Sequence, residues 1–160
     1  MRGQVWYMDL IFGLSIFIIA LLIFFSNKIN LNNYDQAYLS SMIFEINSIS
    51  DQIMGSGYPT NWNENNVIEI GIVDNGVINE TKLNNLNDLN YNDTKRLFNT
   101  RFDYYFYIVG EQLYDNKEGY GKAGVNSTNI ESIDSNQMIN IDRYVVFNDK
   151  IRLLKVISWD

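Results

Sequence analysis

The chain has 160 residues, a formal net charge of −7, and neither Cys nor His. The missing Cys excludes disulfides and thiolate metal sites, and the missing His removes the commonest general base and metal ligand. The acidic balance argues against nucleic-acid binding, which needs a positive field over the phosphates. We therefore predict no enzyme, no catalytic residue, no cofactor, no metal site and no nucleic-acid partner, and one modest globular domain.

The first element in chain order is a long apolar segment near the N-terminus. Residues 10–25 carry no charge. Counted from Val5, the segment reaches about 20 residues, or roughly 30 Å of helix, which is enough to cross a hydrocarbon core. No small-residue cleavage pattern follows it at residues 24–28, so we expect a transmembrane helix over residues 4–27 in the mature protein. Because Arg2 precedes the segment and an acidic remainder follows it, we predict a cytoplasmic N-terminus and an extracellular head.

The helical pattern continues beyond the apolar segment. Residues 28–55 carry apolar side chains at three- and four-residue steps, which predicts one stripe along an amphipathic helix. These residues are Leu31, Tyr34, Tyr38, Met42, Ile46, Ile49 and Ile53. Residues 30–33 are poor helix formers that could bend or melt the helix, and Gly55 and Pro59 should end it. The stripe is typical of a core contact, with a ligand groove or a subunit contact as the alternative.

Residues 56–160 read as a β-rich head domain. We predict strands at residues 67–73 and 102–109, the first ending in a turn at residues 74–76. Two short surface helices are expected between them, the second capped by Asn92 and Asp93. Residues 119–137 resemble a long loop.

A β-hairpin is expected at the end of the head. Residues 143–147 and 151–159 flank a turn at residues 148–150, and this hairpin should close the sheet. Trp62 is interpreted as a buried residue that seals the head beside the helix end, with an exposed stacking residue as the alternative.

Three Asn-x-Thr sequons occur in the predicted head. Asn79, Asn92 and Asn126 are candidate glycosylation sites if the head lies outside the cell. In so Asn-rich a chain, two or three such sequons are expected by chance.

The N-terminal residues add a family resemblance. Met1-Arg2-Gly3-Gln4, followed by Asp9 at the start of the apolar helix, resembles the class III signal peptide of archaeal type IV pilin-like proteins. The resemblance implies that a prepilin-type peptidase cuts between Gly3 and Gln4, which leaves residues 1–3 as a leader peptide. It also implies that Asp9 pairs with the freed amino terminus of a neighbouring subunit, whereas the alternative is a hydrated interfacial carboxylate. Where the family carries Ser and Glu, this chain has Trp6 and Met8.

The resemblance extends into the head. It rests on the turn at residues 57–62 (Gly-Tyr-Pro-Thr-Asn-Trp), on Ile70-Gly71-Ile72, on Phe102-Asp103-Tyr104, and on the hairpin that begins Arg-Tyr-Val-Val. It implies an α+β, pilin-like fold in which one long N-terminal helix packs on a small antiparallel sheet, and it implies no enzymatic activity. The expected function is a major or minor subunit of a type IV-like pilus, with membrane lipid and neighbouring pilin-like subunits as partners. The alternative is a monomeric, single-span surface module, for binding or as an accessory component, that does not polymerise.

Overall fold

The computed structural model describes the backbone of residues 2–114 and 117–160, and the side chains of these residues except 2–6 and 27–35. The chain divides into two compact units, Met1–Ser40 and Ser41–Asp160. Helix α1 (Arg2–Ile53) begins in the first unit and ends in the second. A bend or local melting was predicted at residues 30–33, and the backbone there is helical throughout, so the helix does not melt.

The last three turns of α1 confirm the predicted apolar stripe. Met42, Ile46, Ile49 and Ile53 are each fully buried, whereas Phe44 on the other side of the helix is 75% exposed. Leu31 and Tyr34 lie outside the residues whose side chains are described. The helix therefore presents a face with a period of three to four residues to the core of the second unit.

The head is built on one six-stranded sheet with the strand order β1-β2-β5-β6-β3-β4. Two short helices and a 3-10 turn complete it. The elements after α1 are β1 (Val73–Asp74), β2 (Val77–Ile78), α2 (Glu80–Asp88), α3 (Tyr91–Leu97), β3 (Asp103–Ile108), β4 (Gly119–Gly121), the 3-10 turn (Ile130–Ser132), β5 (Met138–Phe147) and β6 (Lys150–Trp159).

The sheet is mixed, so the chain is α+β as expected but the sheet is not purely antiparallel. β2 pairs with β5 in parallel, with Val77 opposite Val146, while the other four neighbouring pairs are antiparallel. The parallel contact is one residue pair long. A hydrogen bond from the Val146 amide to the Gly76 carbonyl at 2.9 Å accompanies this contact.

The C-terminal hairpin is confirmed and is longer than predicted. β5 and β6 pair over ten residues from Met138↔Trp159 to Phe147↔Lys150. Asn148 and Asp149 both have positive φ angles, of 53° and 57°, as a two-residue turn of the primed type requires. The prediction that this hairpin closes the sheet is wrong, because β6 lies between β5 and β3 in its middle.

The predicted strand at residues 67–73 is also wrong, since only Val73 joins the sheet. Amides of this segment instead donate hydrogen bonds to carbonyl groups at the end of α1. The Ile72 amide donates to the Ile53 carbonyl at 3.1 Å, and the Val73 amide donates to the Gly55 carbonyl at 3.0 Å. Gly71 permits this crossing, because a Cβ there would overlap the backbone of Gly55 and Gly57.

The remaining expectations are largely confirmed. The two short helices are present, and β3 lies within the predicted strand. The helix α3 is capped by Asn90, whose side chain accepts from the amides of Asn92 and Asp93, so those two residues are capped and do not cap. The predicted loop at residues 119–137 contains β4 and the 3-10 turn.

Both faces of the sheet are covered in part. Tyr104, Phe106 and Val156 face the α1 stripe in the main core, whereas their neighbours point to the opposite face. There a second, smaller cluster forms under the loop that carries the 3-10 turn, and it comprises Tyr105, Ile130, Ile157 and Trp159.

Candidate functional site

Most of the exposed large apolar side chains among the described residues lie on α1. The segment Tyr7–Ser26 has 20 residues and a mean hydropathy of 2.7, and none of it is buried. Leaving so much apolar surface in water is unfavourable at about 25 cal/mol per Å². By length and composition this helix suits a membrane span, and a signal sequence near an N-terminus would share both properties.

Asp9 is the only charged residue in the segment Tyr7–Ser26, and its side chain is exposed. It lies at the N-terminal end of the apolar surface, where a carboxylate can reach the membrane interface or a cation on another molecule. Gly3 and Gln4, the predicted cleavage site, lie outside the residues whose side chains the structure describes.

Trp62 has the structural role that was expected of it. Its side chain is fully buried, and its indole Nε1 donates to the Gly71 carbonyl at 2.8 Å. The indole therefore holds the crossing segment against the end of α1. A buried ring has no free face, so it offers no stacking surface to a glycan.

A network of charged side chains joins three segments close to the end of α1. The Lys82 ammonium donates to the Ser56 carbonyl at 2.8 Å and to the Asp74 carboxylate at 2.5 Å. Asn79 donates to the other Asp74 oxygen at 2.8 Å. These hydrogen bonds, led by that from Lys82, hold the pKa of Asp74 below its usual value. The carboxylate of Asp74, at the end of β1, is thus bound within the fold, and no group of three metal-ligating acids exists among the described residues.

A cleft of about 580 Å³ lies beside β4. Tyr91, Tyr105, Tyr114 and Tyr120 contribute to its lining, together with Asn126 from the following loop. Burial raises the pKa of Tyr105 to about 12 and raises the pKa of the other three phenols as well. At neutral pH these hydroxyls are therefore hydrogen-bonding groups and are not bases. The cleft has no pattern in the sequence, because its lining combines residues 117–128 with residues 87–91 and with Tyr105 and Tyr114 only in the folded chain.

The three sequon residues lie in different environments. Asn79 is the half-buried N-cap of α2, Asn92 is exposed in the first turn of α3, and Asn126 is exposed in the loop after β4. The fold does not bring them together into one site.

No protein-family model, curated protein or solved structure matches the chain. The function is therefore inferred from the chain's own residues. Among the described residues, that inference rests on two features. These are the exposed apolar segment Tyr7–Ser26 and the head that continues from α1.

Proposed function

We propose that the protein is a pilin-like, membrane-anchored cell-surface protein that serves as a subunit of a type IV-like filament. The observation that carries this proposal is that two parts of α1 differ in burial. None of its segment Tyr7–Ser26 is buried, and most of the side chains there are apolar, whereas Met42, Ile46, Ile49 and Ile53 on the same helix are fully buried in the head. Such a helix needs lipid or similar helices to cover its first part.

In this function the apolar segment has two successive environments. Lipid covers it after export, and the helices of neighbouring subunits cover it after assembly. Gly13 leaves open space where a Cβ would lie, and the Ser15 hydroxyl donates to the Ile11 carbonyl at 2.8 Å, so neither residue obstructs a close helix contact. Asp9 then pairs with the amino terminus that cleavage before Gln4 creates on a neighbour.

The first test is the mass of the N-terminal peptide, measured on protein from native membranes and from the sheared surface fraction. We expect a chain that begins at Gln4 in both fractions, because the peptidase acts before assembly. A chain that begins at Met1 and occurs only in membranes would contradict the filament proposal.

The second test addresses the contact of Asp9. The substitution Asp9→Asn removes the charge with little change of shape, so we expect less protein in the sheared fraction and an unchanged amount in membranes. Asp134→Asn is the matched control, since Asp134 is an exposed acid of the head. Equal filament yields from both variants would remove Asp9 from the assembly contact.

The second candidate function is a monomeric tethered module. The cleft beside β4 supports it, because about 580 Å³ lies within the range of small-ligand sites. This candidate predicts an intact leader, a monomer in detergent, and no protein in the sheared fraction.

A further inference from the structure

The sequon at Asn79 is unsuited to modification in the folded chain. The side-chain oxygen of Asn79 accepts from the Lys82 amide at 3.2 Å and caps α2, while its nitrogen donates to Asp74 at 2.8 Å. The nitrogen that would carry a sugar is thus held by a carboxylate. A glycan on that nitrogen would have to share the half-buried site with the Asp74 carboxylate and would disturb their contact.

The sequon at Asn92 is unsuited for a different reason. Its Thr94 is fully buried, and the Thr94 hydroxyl donates to the Tyr91 carbonyl at 2.8 Å and contacts the Tyr104 hydroxyl. An enzyme that reads an Asn-x-Thr sequon needs access to the Thr hydroxyl as well as to the Asn amide. The fold denies that access at Asn92.

Asn126 has the opposite geometry. Its side-chain oxygen accepts from the Thr128 hydroxyl at 2.7 Å, from the Thr128 amide at 3.0 Å and from the Asn129 amide at 3.0 Å. Among the described residues, no hydrogen bond occupies its side-chain nitrogen. Both Asn126 and Thr128 are exposed.

The surrounding fold holds this turn in place. The Asn129 side chain accepts from the Asn126 amide at 2.8 Å and donates to the Gly124 carbonyl at 2.8 Å. Ile130, the next residue, is 1% exposed and packs in the second cluster. Hydrogen bonds on both sides thus hold the turn in place, and the exposed Asn126 keeps a side-chain nitrogen to which no described residue is hydrogen-bonded.

We propose that Asn126 is the residue of this chain that carries an N-linked glycan, and that Asn79 and Asn92 stay unmodified. The proposal rests on the proposed export of the head. The co-reactant is a glycan linked through phosphate to a membrane lipid. The Asn126 amide nitrogen forms a bond to the anomeric carbon, the bond from that carbon to the phosphate oxygen breaks, and the phosphate leaves with its electron pair.

In the same step the amide nitrogen loses one proton to a base of the transferase. Three donors on the Asn126 oxygen stabilise the negative charge that builds on that oxygen as the proton leaves. The local geometry thus supports the reaction as well as the access that it needs.

The test is peptide mass mapping of the full chain purified from the membranes of the cells that make it. We expect a sugar mass on the peptide that contains Asn126 and unmodified peptides for Asn79 and Asn92. Asn126→Gln and Thr128→Ala should each abolish the added mass, Thr128→Ser should retain it, and Asn92→Gln should leave it unchanged. A glycan on Asn79 or Asn92, or a bare Asn126, would overturn the inference.

A second readout separates this inference from the proposed function. A membrane-impermeant amine reagent applied to intact cells should label the exposed Lys150 if the head is external. A labelled head with a bare Asn126 overturns the glycan and leaves the surface protein standing. A head that escapes labelling in intact cells and is labelled only after lysis overturns both.

Discussion

Lys82 illustrates how single residues stabilise the head. Its side chain is 6% exposed, yet its ammonium pairs with Asp74 and with the Ser56 carbonyl, which ties α2 to β1 and to the end of α1. Replacement by Met leaves that carboxylate and carbonyl without their cation. We expect Lys82→Met to lower the free energy of unfolding by about 1–3 kcal/mol, as for a lost buried hydrogen-bond partner. Urea unfolding in mild detergent, followed by Trp fluorescence, measures the change.

Lys150→Met is the control for this substitution, because Lys150 is exposed at the start of β6. We expect it to change the free energy of unfolding by less than about 0.5 kcal/mol. Equal effects of the two variants would contradict a specific role for the pair of Lys82 with Asp74.

The carboxylates of Asp74 and Asp103 should make the stability of the head sensitive to acid. Hydrogen bonds from Lys82 and Asn79 lower the pKa of Asp74. At Asp103, burial raises the pKa, but hydrogen bonds from Lys122, Lys95 and Tyr91 outweigh this effect, so the pKa of Asp103 is also lowered. A lowered folded-state pKa stabilises the fold at pH values above 3.8, the usual pKa of an Asp side chain, and that stability is lost as the pH falls from there through the folded-state pKa. We expect unfolding midpoints in urea to be flat from pH 7 to about pH 5 and to fall below about pH 4. Lys82→Met should reduce that fall, and an unchanged acid profile in the variant would contradict the assignment.

At the scale of elements, the last turns of α1 stabilise the head through their buried face. Ile49 is fully buried in the main core, whereas Phe44 on the opposite side is 75% exposed. We expect Ile49→Ala to cost about 2–5 kcal/mol through lost burial and a cavity, and Phe44→Ala to cost less than about 0.5 kcal/mol. Denaturant unfolding of both variants provides the comparison. Similar losses would mean that Phe44 is covered in the assembled protein.

A second element-scale observation concerns the path of residues 67–73. Their β-branched composition predicts a strand, but their amides bond to the carbonyls at the end of α1. β-propensity describes a residue's fit to a half-buried surface, so it does not distinguish a sheet from a segment that covers a helix end. Ile70 and Ile72 are fully buried in this setting, as they would be in a strand.

At the scale of the whole molecule, membrane retention should depend on the middle of the apolar segment. Ile16 and Ile19 are 67% and 56% exposed near the centre of Tyr7–Ser26. Replacing both by Arg costs roughly 2.5–3.5 kcal/mol per charge at the centre of a span. We expect the double variant to leave the membrane fraction, as measured by carbonate extraction, while the double Leu variant stays. Full retention of the Arg variant would contradict the membrane span.

Features that depend on local pattern can be read directly from the order of the amino acids. The uncharged segment, the stripe from Met42 to Ile53, and the two short helices all follow from spacing and composition, because neighbours in sequence set the exposed face of a helix. The C-terminal hairpin followed in the same way from its turn residues Asn148 and Asp149. The N-terminal positions Gly3, Gln4 and Asp9 were also found in the sequence, and their processing and assembly roles stay predictions.

Features that depend on contacts between separate segments become visible in the folded chain alone. The central place of β6, the parallel contact of β2 with β5 and the cleft beside β4 each join parts of the chain that no local pattern relates. The same holds for the three sequons, which are alike in sequence. In the folded chain the Asn79 side-chain nitrogen is hydrogen-bonded, the Thr94 hydroxyl is buried, and Asn126 and Thr128 are both exposed. A residue's hydrogen-bond partners and its burial depend on its neighbours in the folded chain. Local sequence does not predict them, because those neighbours come from the whole chain.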